Sequence, residues 1–95
     1  MMTHIVIFQW KPGVTQDQVD TFAQAMSRMA AELADLVTMR HGKDLALREG
    51  NGDYALVGTF RDTEAWSAYQ AHSVHKALIR DFVTPILASR TTIQF

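Results

Sequence analysis

The segment from His4 to Trp10 constrains the fold most, because it is extended in character and largely apolar on both faces. β-Branched and aromatic residues dominate it, and Lys11-Pro12-Gly13 ends it. Side chains alternate along a strand. One face would therefore carry His4, Val6, Phe8 and Trp10, and the other Ile5, Ile7 and Gln9. This pattern predicts a strand covered on two sides, by helices on one side and by something else on the other.

A helix with one apolar stripe follows this strand. Thr15 and Gln18 have the spacing of a capping box, and apolar residues then recur at helical spacing. These residues are Val19, Phe22, Met26, Met29 and Leu33. The pattern predicts a helix from about Gln16 to Ala34 that packs its apolar side on a sheet.

The remaining residues predict three more strands and a second helical region. Gly and Asn at positions 49–53 favour a turn between two paired strands. Asp62 and Ser73 are placed to cap helices, and Pro85 to distort or end the second one. The predicted strands are Leu36 to about Arg48, Tyr54 to Phe60 and Ser89 to Phe95, and the helices run from Asp62 through Ala71 and onward from Ser73.

The resulting order, β-α-β-β-α-β, is that of a ferredoxin-like α+β domain with a four-stranded antiparallel sheet. At 95 residues, the chain has room for one domain, residues 1–95. Helices cover one sheet face in this order and leave the other bare. That bare face would carry Ile5, Ile7, Ala55 and Val57, which form a patch too apolar for water. We therefore expect a homodimer that packs the two sheet faces together.

Composition excludes several classes of function. Nine basic and ten acidic residues give a net charge of −1, which argues against nucleic-acid binding by bulk electrostatics. The chain has no Cys, so disulfides, a thiolate nucleophile and Cys-ligated metals are excluded. Neither a membrane span nor a signal peptide is recognisable. We expect no membrane partner and a cytoplasmic location.

Four histidines are the side chains whose ordinary pKa lies near neutrality. His4 would face the helices from the first strand. Tyr69, His72 and His75 are three apart, so they would share one helical face if the helix continued through Ser73. A neutral imidazole can take a proton α to a carbonyl, and a tyrosine hydroxyl can donate to the developing enolate oxygen. These residue types indicate proton-transfer chemistry on a carbonyl substrate.

Other roles for the histidines stay open. His72 can instead fix the corner between two helices by bonding to backbone, and the sequence favours this role over catalysis. His41 is expected at solvent or at a dimer edge. A zinc site built from His4, His72 and His75 is disfavoured, since helical His ligands are more often four apart. We expect no metal, and no motif predicts a haem, a flavin or another cofactor.

Four segments, in the same order and over nearly the whole chain, carry a family resemblance. They are His4 to Gly13 with Thr15, then Gly42-Lys43-Asp44, then Asp53 to Val57, then Phe60-Arg61-Asp62 leading through Trp66 to His75. The chain resembles the stress-responsive α/β-barrel (Dabb) family of dimeric ferredoxin-like proteins. The last family motif usually reads Tyr, two residues, His-Pro, one residue, His, and Ser73 stands here in place of the Pro. No chemical role is assigned to Lys43 and Asp44.

The resemblance implies a dimeric α/β barrel with a pocket in each subunit between sheet and helices. In plant polyketide cyclases of the olivetolic acid cyclase type, which belong to this family, such a pocket serves an intramolecular aldol cyclisation. The matching positions here are Tyr69, His75 and His4. They are the expected catalytic residues, with His75 as base, Tyr69 as hydrogen-bond donor, and His4 as an orienting group or second base.

An apolar pocket wall is expected around these groups. The candidates, which are core residues if no pocket is open, are Val6, Phe8, Phe22, Met26, Trp66, His72 and Phe82. We expect a protein that binds an apolar, carbonyl-bearing small molecule, with cofactor-free, polyketide cyclase-like lyase chemistry as its possible reaction. Two alternatives stay open: a cofactor-independent monooxygenase of the antibiotic-biosynthesis type, and a non-enzymatic stress-responsive oligomer.

Overall fold

The computed structural model describes residues 1–95 as a four-stranded antiparallel sheet with helices on one face. The elements in chain order are β1 (Met2–Trp10), α1 (Gln16–Glu32), β2 (Val37–Lys43), β3 (Tyr54–Phe60), α2 (Thr63–Ala71), α3 (Ser73–Leu78), a π-helical turn (Ile79–Val83) and β4 (Leu87–Gln94). The strand order is β2-β3-β1-β4, so β1 and β3 are central. This confirms the predicted ferredoxin-like α+β fold.

Capping interactions determine where α1 begins and ends. Thr15 Oγ1 accepts a hydrogen bond from the Gln18 N–H at 3.2 Å, and Gln18 Oε1 accepts one from the Thr15 N–H at 2.8 Å. The predicted capping box is thus confirmed. The helix ends at Glu32, two residues earlier than predicted, because Leu33 has left helical geometry and caps the helix with its N–H on the Met29 carbonyl.

Strand β2 ends at Lys43, five residues before the predicted Arg48. A loop closes there, since Asp44 Oδ2 accepts from the Ala46 N–H at 2.9 Å and Asp44 Oδ1 accepts from the Asn51 side chain at 3.1 Å. Ala46 has a positive φ of 57°, which turns the chain out of the sheet. Asp44, to which no role could be assigned from sequence, therefore organises this loop.

The second helical region is bent at His72. Asp62 caps α2 as predicted, its Oδ1 accepting from the Ala65 N–H at 2.8 Å. Ser73 does not cap α3, and that prediction was wrong. His72 takes the capping position, because its extended ψ of 136° directs Nδ1 to the Val74 N–H at 3.1 Å. The helical region ends in the π-helical turn, just before Pro85.

The two faces of the sheet differ sharply in burial. On the helix side, Val6 and Phe8 are 6% and 3% exposed. On the other side, Ile7, Val57 and Ile93 are 42%, 39% and 59% exposed. A single chain therefore leaves an apolar sheet face open to water. None of its helices has the length and apolar character that a bilayer crossing requires.

Candidate functional site

A cavity of about 300 Å³ lies between the helix-facing side of the sheet and the helices. All three predicted catalytic residues line it, together with four of the predicted wall residues. These seven are His4, Tyr69, His75, Val6, Phe8, Met26 and Trp66. The fold thus gathers side chains of β1, α1, α2 and α3, which are far apart in sequence, around one cavity.

Three other predicted wall residues do not line this cavity. Phe22 is fully buried beside it, in an aromatic cluster with its ring 5.0 Å from that of Tyr54. Phe82 lies in the π-helical turn, facing a shallow groove against the start of α1. His72 caps α3, so the helix does not continue through Ser73 and the three-residue spacing of Tyr69, His72 and His75 does not set a common face.

Tyr69 and His75 nevertheless come together across this bend, with ring centroids 4.4 Å apart. Burial raises the pKa of Tyr69, which is 2% exposed, so its hydroxyl stays protonated at neutral pH. The pKa of His75 is lowered, chiefly by burial and further by Coulombic interactions with His4 and Arg90, whereas the Gln70 carbonyl acts to raise it. His75 is therefore a neutral imidazole near neutral pH.

His4 is held in place by Gln94 on the neighbouring strand, β4. Its Nδ1 lies 3.0 Å from Nε2 of Gln94, its register partner on β4. With the amide N–H donating to Nδ1, the proton of the neutral ring is on Nε2. Burial and the charge of Arg90 lower the pKa of His4, so this ring too is neutral near pH 7. Its centroid is 6.2 Å from that of Trp66.

Two buried polar atoms of cavity residues have no hydrogen-bond partner within the protein. They are Trp66 Nε1, a donor, and His75 Nδ1. Buried polar groups are almost always hydrogen-bonded, because an unpaired one costs about 1–3 kcal/mol. Both residues line the cavity, and both atoms are shielded from solvent, so a ligand that reached them would supply the partner that each one lacks.

The polar cavity wall that β4 contributes was not predicted from the sequence. Arg90, Thr92 and Gln94 line the cavity, and Arg90 and Thr92 lie opposite Phe8 and Val6 in the sheet register. Their position at every second residue of β4 predicts that the three side chains share one face of the sheet. That this face lines the cavity could be predicted only with the knowledge that β4 pairs with β1.

His41, expected at solvent or at a dimer edge, lies outside the cavity and is partly buried. Its ring bridges α1 and β3, with Nε2 2.9 Å from Ser27 Oγ and Nδ1 2.6 Å from the Tyr54 hydroxyl. Burial lowers the pKa of His41, which suits a neutral ring that donates at one nitrogen and accepts at the other. His41 thus ties the first helix to the sheet.

A larger and more open concavity, of about 590 Å³, lies on the bare side of the sheet beneath the β2–β3 loop. Ile7, Ala55, Lys43 and Asp44 line it, without any histidine. Nowhere in the chain do three or more His, Asp or Glu side chains group as metal ligands would. The groups suited to acid–base chemistry are therefore those of the smaller cavity.

Comparison with known proteins matches this geometry to a family. The family model for the stress responsive A/B barrel domain (Dabb) matches residues 2–95. A Thermobifida fusca protein, described as a dimeric ferredoxin-like protein of unknown function, is 36% identical and superimposes with a TM-score of 0.90 over 99% of this chain and 88% of its own. No curated protein matches the sequence.

Two more distant structures share the fold. The hydroxynitrile lyase of Passiflora edulis is 17% identical, with a TM-score of 0.83 over 99% of this chain and 90% of its own. An antibiotic biosynthesis monooxygenase is 12% identical, with a TM-score of 0.75 over 100% of this chain and 96% of its own. The family match over nearly the whole sequence and the Thermobifida fusca relative show that the chain belongs to the stress-responsive α/β-barrel (Dabb) family.

Proposed function

We propose that this protein binds an apolar, carbonyl-bearing small molecule in the cavity beneath its helices and catalyses proton transfer on it without a cofactor. The observation that carries the proposal is a pair of buried, unpartnered atoms, Trp66 Nε1 and His75 Nδ1, on two residues that line the same cavity. A carbonyl compound with an α C–H group satisfies both atoms. Its oxygen accepts from the indole N–H, and its α-proton faces the imidazole.

The chemistry follows from the protonation states. The α C–H bond breaks, the proton moves to neutral His75, and the electron pair forms an enolate. The enolate oxygen accepts hydrogen bonds from Trp66 and from the protonated Tyr69 hydroxyl, which stabilise the charge as it develops. His4, held by Gln94, orients the ligand or acts as a second base. Attack of the enolate on a second carbonyl of the same molecule would give an aldol-type cyclisation.

We also propose that the protein is a homodimer that packs its bare sheet faces together. The exposed apolar side chains of Ile7, Val57 and Ile93 support this arrangement, since a two-fold interface is the commonest way to bury such a patch. The description of the Thermobifida fusca relative as dimeric supports it as well.

The structural neighbours bear on the choice of reaction. One is a lyase by name and another a monooxygenase, so the fold accommodates both kinds of enzyme. A donor and a base around an apolar cavity favour proton transfer on a carbonyl over the monooxygenase alternative. They also favour a ligand-binding role over a purely structural stress-responsive oligomer, which has no use for unpartnered polar atoms.

Binding of a neutral ketone tests the proposal. Propiophenone is titrated into the wild type and into Trp66→Phe, which keeps an aromatic ring and removes the N–H. We expect saturable binding by calorimetry, weakened about ten-fold in Trp66→Phe by the loss of one hydrogen bond. Trp10→Phe, outside the cavity, is the matched control and should bind as the wild type does. Absence of binding to the wild type, or equal losses in both variants, contradicts the proposal.

A further inference from the structure

Arg90 is the one permanently charged residue of the cavity, and it has no counter-ion. The ion pairs of the structure join Arg61 to Asp62 and Arg80 to Asp81. No Asp or Glu is among the residues that line the cavity. The guanidinium therefore contributes a positive charge to a site that contains nothing to balance it.

The charge of Arg90 acts on the reacting groups. It lowers the pKa of both His4 and His75, so the guanidinium is close enough to both rings to influence their protonation. Thr92, two residues along the same strand and on the same face, adds a hydroxyl to this polar wall. The β4 wall thus supplies a cation and a neutral donor to the cavity.

The strand register sets where this charge lies. Arg90 is opposite Phe8, whereas Gln94 is opposite His4. Four residues of a strand span about 13 Å. The backbone of Arg90 is therefore at the opposite end of the cavity wall from the His4–Gln94 pair, with apolar Val6 on β1 between the two ends. A ligand bridging both ends needs an apolar middle and two different polar groups.

We propose that the ligand of this cavity carries a carboxylate in addition to its carbonyl group, and that Arg90 is the specificity-determining residue that binds it. This inference rests on the function proposed above and names its substrate class as apolar oxo acids. A guanidinium matches a carboxylate in shape as well as charge, through paired N–H donors. Thr92 is placed to donate to the same group.

The arrangement couples recognition to catalysis. A bound carboxylate neutralises Arg90, whose charge adds to the larger effect of burial in lowering the pKa of His75. The base therefore becomes stronger when an anionic ligand is present and stays weaker with a neutral one. Proton abstraction is then favoured on the correct ligand class through the charge on β4.

A matched pair of ligands tests the inference. The probes are 4-benzoylbutyrate and its primary amide, which share the aryl ketone and differ in charge. We expect the wild type to bind the carboxylate about ten-fold more tightly than the amide, as is typical of a charge-assisted hydrogen bond. Arg90→Gln should bring the two affinities to within about two-fold, mainly by weakening the binding of the carboxylate.

Arg28→Gln is the matched control, because Arg28 is exposed on α1, outside the cavity, and the substitution changes the net charge equally. It should preserve the ratio of affinities. Equal binding of the two probes by the wild type, or an equal loss of the ratio in both variants, overturns the role of Arg90 and leaves the proposed function standing. Failure of both probes to bind overturns the proposed function and this inference together.

Discussion

The rings of Tyr69 and His75 are in tilted contact, with their centroids 4.4 Å apart and their planes at 55°, although the two residues belong to different helices. The bend at His72 separates α2 from α3 and turns the first residues of α3 back over the last turn of α2. The phenol and the imidazole thereby meet above the sheet. This corner, rather than a continuous helical face, places the proposed donor beside the proposed base.

The Tyr69 ring and its hydroxyl should contribute separately to stability and binding. The ring packs 5.1 Å from Phe60 as well as against His75. Tyr69→Phe keeps this packing, so the free energy of unfolding should change by less than about 1 kcal/mol. Tyr69→Ala should lower it by about 3–5 kcal/mol. Urea denaturation measures both, and equal losses would show that the hydroxyl is a structural group.

His72 should behave as a helix cap. His72→Ala removes the acceptor for the Val74 N–H and should lower the free energy of unfolding by about 0.5–2 kcal/mol. His72→Asn restores a good capping side chain and should recover most of that loss. Neither variant should change propiophenone affinity. A variant that folds with wild-type stability but no longer binds the ketone would place His72 in the site after all.

Stability should fall as the pH drops below about 6.5. The pKa values of His4, His41 and His75 are all lowered in the folded state from 6.5. Below that pH the unfolded chain binds protons that the folded chain does not, so the free energy of unfolding decreases until the folded-state pKa values are reached. Asp62 and Asp81, whose pKa values are lowered from 3.8, titrate below this window.

Urea denaturation between pH 8 and pH 5 measures this effect. The wild type should lose stability steadily across the lower half of that range, and His75→Gln should show a shallower slope because one of the three groups is gone. A slope that is flat, or one that rises as the pH falls, would mean that the three imidazoles are not held neutral by the fold.

A charge on the bare sheet face should dissociate the proposed dimer. Val57, 39% exposed in the single chain, would be covered by the second copy. Val57→Asp would bury a carboxylate there without a partner, which is costly. Sedimentation velocity should show a dimer for the wild type and a monomer for Val57→Asp. Gln24→Asp, on the exposed side of α1, is the control and should remain dimeric, and a monomeric wild type would refute the proposed assembly.

Local sequence signals predicted the parts of the fold that neighbouring residues determine. The Thr15–Gln18 box and the Asp62 cap involve residues three apart, and the alternation from Tyr54 to Phe60 needs only the strand itself. The end of β2 could not be predicted in this way, because it depends on Asp44 reaching Asn51 across the loop. The His72 cap was missed because Ser73 is the commoner capping residue type.

The residues of the candidate site also fall into two groups, those that the sequence predicted and those that only the tertiary structure shows. His4, Tyr69 and His75 were found from residue type and from the family resemblance. Arg90 was not, since its place in the cavity depends on the register between the first and last strands, which no local pattern specifies. The charged residue that we propose to select the ligand is thus the one that only the tertiary structure could identify.

Hydrogen exchange at the α-carbon of propiophenone in D₂O tests the central claim most directly, because it reports proton abstraction without the natural substrate. The wild type should accelerate deuterium incorporation above the buffer rate, and His75→Ala should return it to that rate. His72→Asn, which keeps the fold, should exchange as the wild type does. Exchange at the buffer rate with the wild type, or undiminished exchange with His75→Ala, would contradict the account.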